Sequence, residues 1–180
     1  AGITARGSTT TYDPNGQFPI SSANALSHSE SMVTDARFGV VTSLTGPNSI
    51  TTTWEYDGFG RKTKELRADG TESRIDYDLC DTLCQPGAVY KITTQDFATG
   101  GAAINTPSIQ YYDKMNRVFR TESIAFDGTT KIYVNTSYNP RGESHMVSRP
   151  YFEGTLPADI KWATTHYDVL GRRMSVIAPD

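Results

Sequence analysis

Apolar and polar residues alternate with a period of two along most of this chain. Ile50, Thr52, Trp54 and Tyr56 share one side of an extended segment, with Thr51, Thr53 and Glu55 on the other. Ile132, Val134, Thr136 and Tyr138 repeat the arrangement, opposed by Tyr133, Asn135 and Ser137. Period two marks strands with two different faces, whereas a helix shows a period of 3.6. The best helix candidate, Ala23 to Met32, is serine-rich and weakly apolar, and reads as loop or irregular strand. Between the arms stand clusters of Asp, Asn and Gly. An Asp at the start of a turn can bond the backbone two residues on, and Gly or Asn supplies the positive φ of a tight corner. The pattern predicts an all-β protein of consecutive antiparallel hairpins.

The corners repeat. Tyr-Asp occurs at Tyr12-Asp13, Tyr56-Asp57, Tyr77-Asp78, Tyr112-Asp113 and Tyr167-Asp168, with Tyr138-Asn139 a near match. YDGFGR (56–61), YDKMNR (112–117), YNPRGE (138–143) and YDVLGR (167–172) place Gly60, Asn116, Gly142 and Gly171 fifth, and Arg61, Arg117 and Arg172 sixth. A second signal follows each: Asp69-Gly70, Asp127-Gly128, Glu153-Gly154 and Asp180. It lies 13 residues on from Tyr56 and Tyr167 and 15 on from Tyr112 and Tyr138. Two turn signals alternating at a nearly fixed distance mean a repeated structural unit. The arginines are expected to bridge to carboxylates or carbonyls of the adjacent hairpin, since a planar guanidinium suits such a span.

Composition agrees with thin sheets. The 180 residues include 24 Thr, 10 Tyr and 7 Phe, types that favour a pleated, half-buried surface. The apolar fraction is 37% and mean hydropathy −0.47, so any core is modest for the length. A net charge of −3 and a pI near 5.6 argue against nucleic-acid binding, which normally shows a basic patch. No run of about 18 apolar residues offers a membrane span, and AGITARGSTTTYD lacks the apolar centre of a secretion signal.

The pattern Tyr-Asp-x-x-Gly-Arg, then about nine residues, then Asp-Gly, resembles the YD repeat of the RHS family. That family includes bacterial polymorphic toxins, the shells of insecticidal toxin complexes and the extracellular part of teneurins. Tyr56 to Thr71 and Tyr167 to Asp180 match closely and Tyr112 to Thr129 nearly so. In the first third, YDPNG (12–16), NALSH (24–28), DARFG (35–39) and GPNS (46–49) read as degenerate units, with Ser27 and Ser49 where the family tends to have Gly. The expected organisation is therefore degenerate repeats over 1–55, repeats with a cysteine-containing insertion over 56–111, and repeats over 112–180. The resemblance implies a curved, spiralling sheet, part of a hollow cocoon around a C-terminal effector, in a secreted or cell-surface bacterial protein. It also implies that this chain is a segment of a larger one. Its partners would then be the remaining repeats and the effector, its cargo unspecified. Exposed strand edges would favour self-association of the isolated segment.

Between Tyr77-Asp78 and Tyr112 the spacing stretches, and Cys80 and Cys84 stand where Gly-Arg would be. Three states are open: free thiols, a metal site, or a disulfide closing a small ring. The ring would contribute roughly 2 kcal/mol through chain entropy; a metal would need further ligands, and His28, His145 and His166 are remote in sequence. Downstream, AVYKITTQDF and AAINTPSIQYYD read as arms of a longer hairpin with Thr99-Gly100-Gly101 at the tip. No phosphate loop, nucleophile elbow or histidine pair at metal spacing is present, so no cofactor or catalytic residue is assigned. Asp57, Asp69, Asp113, Asp127 and Asp168 lie on predicted turns, where shaping the turn is their expected role. The alternative to a scaffold is a carbohydrate-binding module, for which Trp54, Tyr111, Tyr112, Tyr151 and Trp162 would stack on sugar rings.

Overall fold

The computed structural model describes residues 7–81 and 84–179; the first six residues and the second-signal aspartate expected at Asp180 lie outside them. Among these residues there are fifteen strands and one 3-10 turn, Pro157–Asp159. The strands are β1 Thr9–Tyr12, β2 Pro19–Ala23, β3 Ser29–Asp35, β4 Val40–Thr45, β5 Thr51–Tyr56, β6 Lys62–Leu66, β7 Glu72–Leu79 and β8 Tyr90–Phe97. They continue as β9 Ser108–Tyr112, β10 Val118–Ile124, β11 Lys131–Tyr138, β12 Ser144–Ser148, β13 Tyr151–Phe152, β14 Trp162–Tyr167 and β15 Arg173–Ile177. Residues 23–32 hold no helix: the expected loop is there as a corner at Asn24–His28, and the rest belongs to the end of β2 and the start of β3.

The chain forms two compact units. One runs to Ile75 and includes Asp96–Ile104; the other holds Asp76–Gln95 and the chain from Asn105 onward. In the first, β1 to β6 and the start of β7 lie side by side in chain order. In the second the order is β8-β9-β10-β11-β12-β14-β15, with β13 on β11. Every described pairing is antiparallel. The long hairpin is β8 with β9, in register from Tyr90↔Tyr112 to Thr94↔Ser108.

The sheet is thin because the sequence has little to bury. Tyr111 and Tyr133, each 6% exposed, are the buried apolar side chains among the described residues, and Glu72, Glu122 and Ser148 are buried with them. Lateral polar ties do much of the work of a core. In the first unit Lys64 lies 2.9 Å from Glu72 and 3.6 Å from Glu55. Arg74 bonds Glu72 and covers the Phe97 ring at 4.1 Å. Trp54 stands opposite Glu65 and donates its indole N–H to it at 2.9 Å. Cross-strand pairs of this kind contribute roughly 0.2–1 kcal/mol each.

Two segments break the rhythm, both in the second unit. Cys80 and Cys84 are joined in a disulfide, and the corner there is widened, closing with the Cys80 N–H donating to the Val89 carbonyl. Between β12 and β14 the chain makes an excursion, closed by the Arg149 N–H on the Lys161 carbonyl. Within it β13 folds back onto β11, pairing Ile132 with Phe152 and Tyr133 with Tyr151.

Among the described residues three other than Gly take positive φ, all at corners: Ser27 (62°), Ser49 (60°) and Asn116 (60°). An L-residue in this region costs about 1–2 kcal/mol, Asn less than most; a Gly there loses roughly 0.5–1 kcal/mol of backbone entropy. Ser27→Gly and Ser49→Gly are therefore expected to stabilise by about 0.5 kcal/mol each, and Asn116→Gly by less. Urea-denaturation midpoints measure this, and a lowered midpoint for either serine variant would contradict the strain.

Candidate functional site

The recurring chemical unit is the Tyr-Asp corner. At Asp57 the backbone N–H donates to the Arg61 carbonyl (2.9 Å), and Gly60 N–H donates back to the Asp57 carbonyl (3.0 Å). Asp57 Oδ1 accepts the N–H groups of Phe59 (2.9 Å) and Arg61 (3.0 Å), which no strand partner would satisfy. The same set recurs at Asp113 with Met115 (2.8 Å) and Arg117 (3.0 Å), and at Asp168 with Leu170 (2.9 Å) and Arg172 (2.8 Å). Asn139 and Asn24 reproduce it with an amide oxygen. The acceptor geometry, not the charge, is common to all five.

Each of the arginines expected to bridge to carboxylates or carbonyls of the adjacent hairpin bonds the aspartate of its own corner. Arg61, Arg117 and Arg172 each donate Nε to Oδ2 of their own corner aspartate, at 2.7, 2.9 and 2.7 Å. Four residues along a tight loop bring the guanidinium directly over the carboxylate, so the nearest acceptor wins.

It is the tyrosine that reaches across. Tyr138 donates its hydroxyl to the Val118 carbonyl (2.7 Å) and Tyr167 to that of Ser144 (2.8 Å). Each acceptor lies just beyond the preceding Tyr-Asp corner. Tyr56 does the same to Val41 (2.8 Å), beyond the corner at Asp35. A one-residue register shift falls next to each of these tyrosines: Glu55/Tyr56, Ser137/Tyr138 and His166/Tyr167. Such bulges re-aim a side chain. Arg117 also lies over the Tyr138 ring at 4.3 Å, and Arg141 donates to the Asp168 carbonyl at 3.1 Å. Corners thus rest on their predecessors, closely enough that a Cβ on Gly60 would meet the Phe38 ring at 3.0 Å and one on Gly171 would meet Glu143 at 2.8 Å.

The corner carboxyls are held below the usual carboxylate range. For Asp168 the Arg172 backbone N–H is the main cause, followed by its side chain. For Asp127, bonds from the Thr130 hydroxyl and the Thr129 and Thr130 N–H groups bring the value to about 2. For Asp57 and Asp113 desolvation is the largest influence and pushes upward, but the combined Arg and backbone bonds outweigh it. Asp69 is lowered by the Thr71 hydroxyl and N–H. Its neighbour Gly70 lies against Thr99, whose hydroxyl donates to the Asp69 carbonyl at 2.8 Å. Gly128 closes its corner by donating to Ala125 (3.0 Å). Tyr77 and Asp78 differ from the rest of the signature. Both lie within β7, and Asp78 faces Lys91 at 3.6 Å, because the cysteine-containing loop moves the corner onward.

The five aromatic residues singled out for sugar stacking do not form one platform. Trp54 is tied to Glu65. Tyr111 is buried with its hydroxyl on Glu122 (2.9 Å), and burial, then Glu122, raises its pKa. Tyr112 stacks on Tyr90 at 4.5 Å. Tyr151 and Trp162 line an open groove of about 580 Å³ in the second unit, formed by the excursion after β12 and bounded by Arg120, Tyr133 and Asn135. Periodicity gave no sign of this groove. Among the described residues no cluster of three or more His, Cys, Asp or Glu is placed to hold a metal ion. No helix among them is long and apolar enough to cross a membrane.

Antiparallel hairpins in sequence order, many of them turned at a self-bonded Asp or Asn corner, define a hairpin-repeat scaffold. The sequence model of the family described as RHS Repeat matches residues 38–72, the corners at Asp35, Gly46, Asp57 and Arg67 falling in or beside that span. The chain carries an RHS repeat there. It also shares its fold with solved TcdB2-TccC3 structures. The crystal structure of TcdB2-TccC3 without its hypervariable C-terminal region matches over 94% of this chain with a TM-score of 0.70 and 11% identity. Those of TcdB2-TccC3 and TcdB2-TccC3-TEV match over 95% and 94%, each with a TM-score of 0.53, at 14% and 12% identity. This chain spans 12–15% of the length of those chains. No curated protein matches it.

Two outcomes follow for the corners. Tyr138→Phe and Tyr167→Phe each remove one hydroxyl and leave a carbonyl short of its donor, at an expected cost of about 1 kcal/mol. Tyr112→Phe, whose hydroxyl meets only Gln110 on its own strand, is expected to cost less in the same denaturation series. The lowered corner carboxyls stabilise the fold above their ordinary pKa, and that contribution disappears as pH falls from about 4 towards 2. Thermal midpoints are expected to hold from pH 7 to 5 and fall below pH 4. In Asp127→Asn the decline should be shallower near pH 2; an unchanged acid limb would contradict the assignment.

Proposed function

We propose that this chain is one stretch of the wall of a larger RHS-repeat protein, secreted or displayed at a bacterial surface, that encloses a C-terminal effector and helps deliver it. Its role is scaffolding rather than catalysis. The supporting observation is the reach of each tyrosine hydroxyl to the preceding corner, at Tyr56, Tyr138 and Tyr167. A tie that passes from repeat to repeat suits a sheet extended without limit, since each hairpin needs only its neighbours. The half-exposed strand faces support the same reading, because a wall meets solvent or cargo on its faces instead of burying them. The Cys80–Cys84 disulfide fits an oxidising compartment. On this reading repeats run through residues 1–55, 56–111 and 112–180 alike, and the partners are further repeats and the enclosed effector.

Limited proteolysis of a longer natural chain carrying this sequence tests the proposal. The segment following the repeats should resist protease in the intact protein. It should become cleavable when Gly60→Val and Gly171→Val push the corners apart. Rapid cleavage of that segment in the unaltered protein would refute enclosure.

A further inference from the structure

The groove in the second unit carries a charge that the fold leaves uncompensated. Arg120, on β10, stands over the Tyr133 ring at 4.8 Å. Its Nε donates to Asn135 Oδ1 (2.7 Å), Nη1 to Gln85 Oε1 and Nη2 to the Tyr151 hydroxyl (3.3 Å). Three of five guanidinium N–H groups are thereby engaged with neutral acceptors, and two are left over. No ion pair joins Arg120 to a carboxylate among the described residues. The nearby Glu122, only 2% exposed, is taken up by Lys131 (3.0 Å) and the Tyr111 hydroxyl (2.9 Å). Neutral partners hold the guanidinium in place without cancelling its charge, as binding sites for anions require.

Much of the rest of the lining is apolar, the Thr155 hydroxyl and the Trp162 indole N–H being its further polar groups. Pro157, Ile160 and Trp162 supply apolar surface to it. The polar atoms of Asn135 are engaged: Nδ2 donates to Tyr151 (2.6 Å) and Oδ1 accepts from Arg120. A sugar ring needs a partner for each of several hydroxyls, and beside Arg120 the Thr155 hydroxyl and the Trp162 N–H are few for that. A carboxylate beside an apolar side chain matches what remains, namely one fixed cation and an apolar wall.

We propose that this groove binds an extended acidic segment of another polypeptide, its Asp or Glu carboxylate seated on Arg120 and a neighbouring apolar side chain against Ile160 and Trp162. The site stands apart from the wall reading and would persist if that reading failed.

The test is fluorescence polarisation of the 180-residue chain with a labelled eight-residue peptide of alternating phenylalanine and aspartate. A counterpart with asparagine for aspartate, trigalacturonate as competitor, and sedimentation of the chain alone complete the set. The acidic peptide is expected to bind about tenfold more tightly than the asparagine one, the ratio expected of one charge-assisted contact. Arg120→Gln should abolish the difference. Because that change also removes bonds to Asn135 and Tyr151, Ile160→Asp serves as the second variant. It places a carboxylate on the groove wall, leaves the Arg120 network intact, and should equally erase the preference. Equal binding of the two peptides would overturn the proposal, as would an acidic preference surviving both variants. Displacement by trigalacturonate at lower concentration than by unlabelled acidic peptide would assign the groove to acidic sugars instead. Self-association of the chain abolished by Arg120→Gln would assign it to a second copy; either result overturns the proposal.

Discussion

A side-chain oxygen that accepts two backbone N–H groups at each Tyr-Asp corner is the interaction on which the rest of the structure depends. A hairpin reversing over five residues strands the N–H groups inside its loop, and an unbonded donor is costly wherever water is excluded. Asp57, Asp113 and Asp168, with Asn24 and Asn139, answer that cost within the corner. Once the loop satisfies itself, its flanking strands are free to pair with whatever comes next. The fourth residue must then turn to positive φ, where Gly60, Gly142 and Gly171 stand and where Asn116 and Ser27 are accepted.

From this follows the unusual economy of the sheet. With few apolar side chains buried, cohesion comes from strand pairing and from short polar ties between neighbours. Lys64 between Glu55 and Glu72 is one such tie, and Glu122 between Lys131 and Tyr111 is another. Salt bridges on an exposed surface contribute little individually. Glu122 differs because it is enclosed, so both of its partners are needed to keep its charge tolerable. Threonine, the commonest residue at 24, and the 10 tyrosines suit such a sheet because each offers a β-compatible body with a hydroxyl that can find a carbonyl.

Most of the architecture could be read in the chain before any coordinates. Alternation at Ile132 to Tyr138 marked β11, and the spacing of Tyr-Asp from Asp-Gly marked successive reversals. Ser27 and Ser49 stood at the positions where glycine was expected, and both have positive φ. What could not be read depends on distances that sequence does not encode. The arginines bond inside their corners because the loop is tighter than a six-residue motif suggests. The tyrosines reach backward to a neighbouring ribbon, and neither that reach nor the bulge beside each leaves a compositional mark. Tyr77-Asp78 looks like another corner yet lies in a strand, since the inserted Cys80–Val89 loop carries the reversal past it. The groove arises from the fold-back of Tyr151 and Phe152 onto β11, a pairing between residues about twenty positions apart with no periodic signal.

The backward reach of Tyr56, Tyr138 and Tyr167 gives the assembly a direction in time. Each hydroxyl finds its acceptor on a ribbon made earlier in the chain, never on one still to come. A polypeptide emerging amino end first could therefore lay down one finished ribbon after another, with every newcomer fastened on arrival.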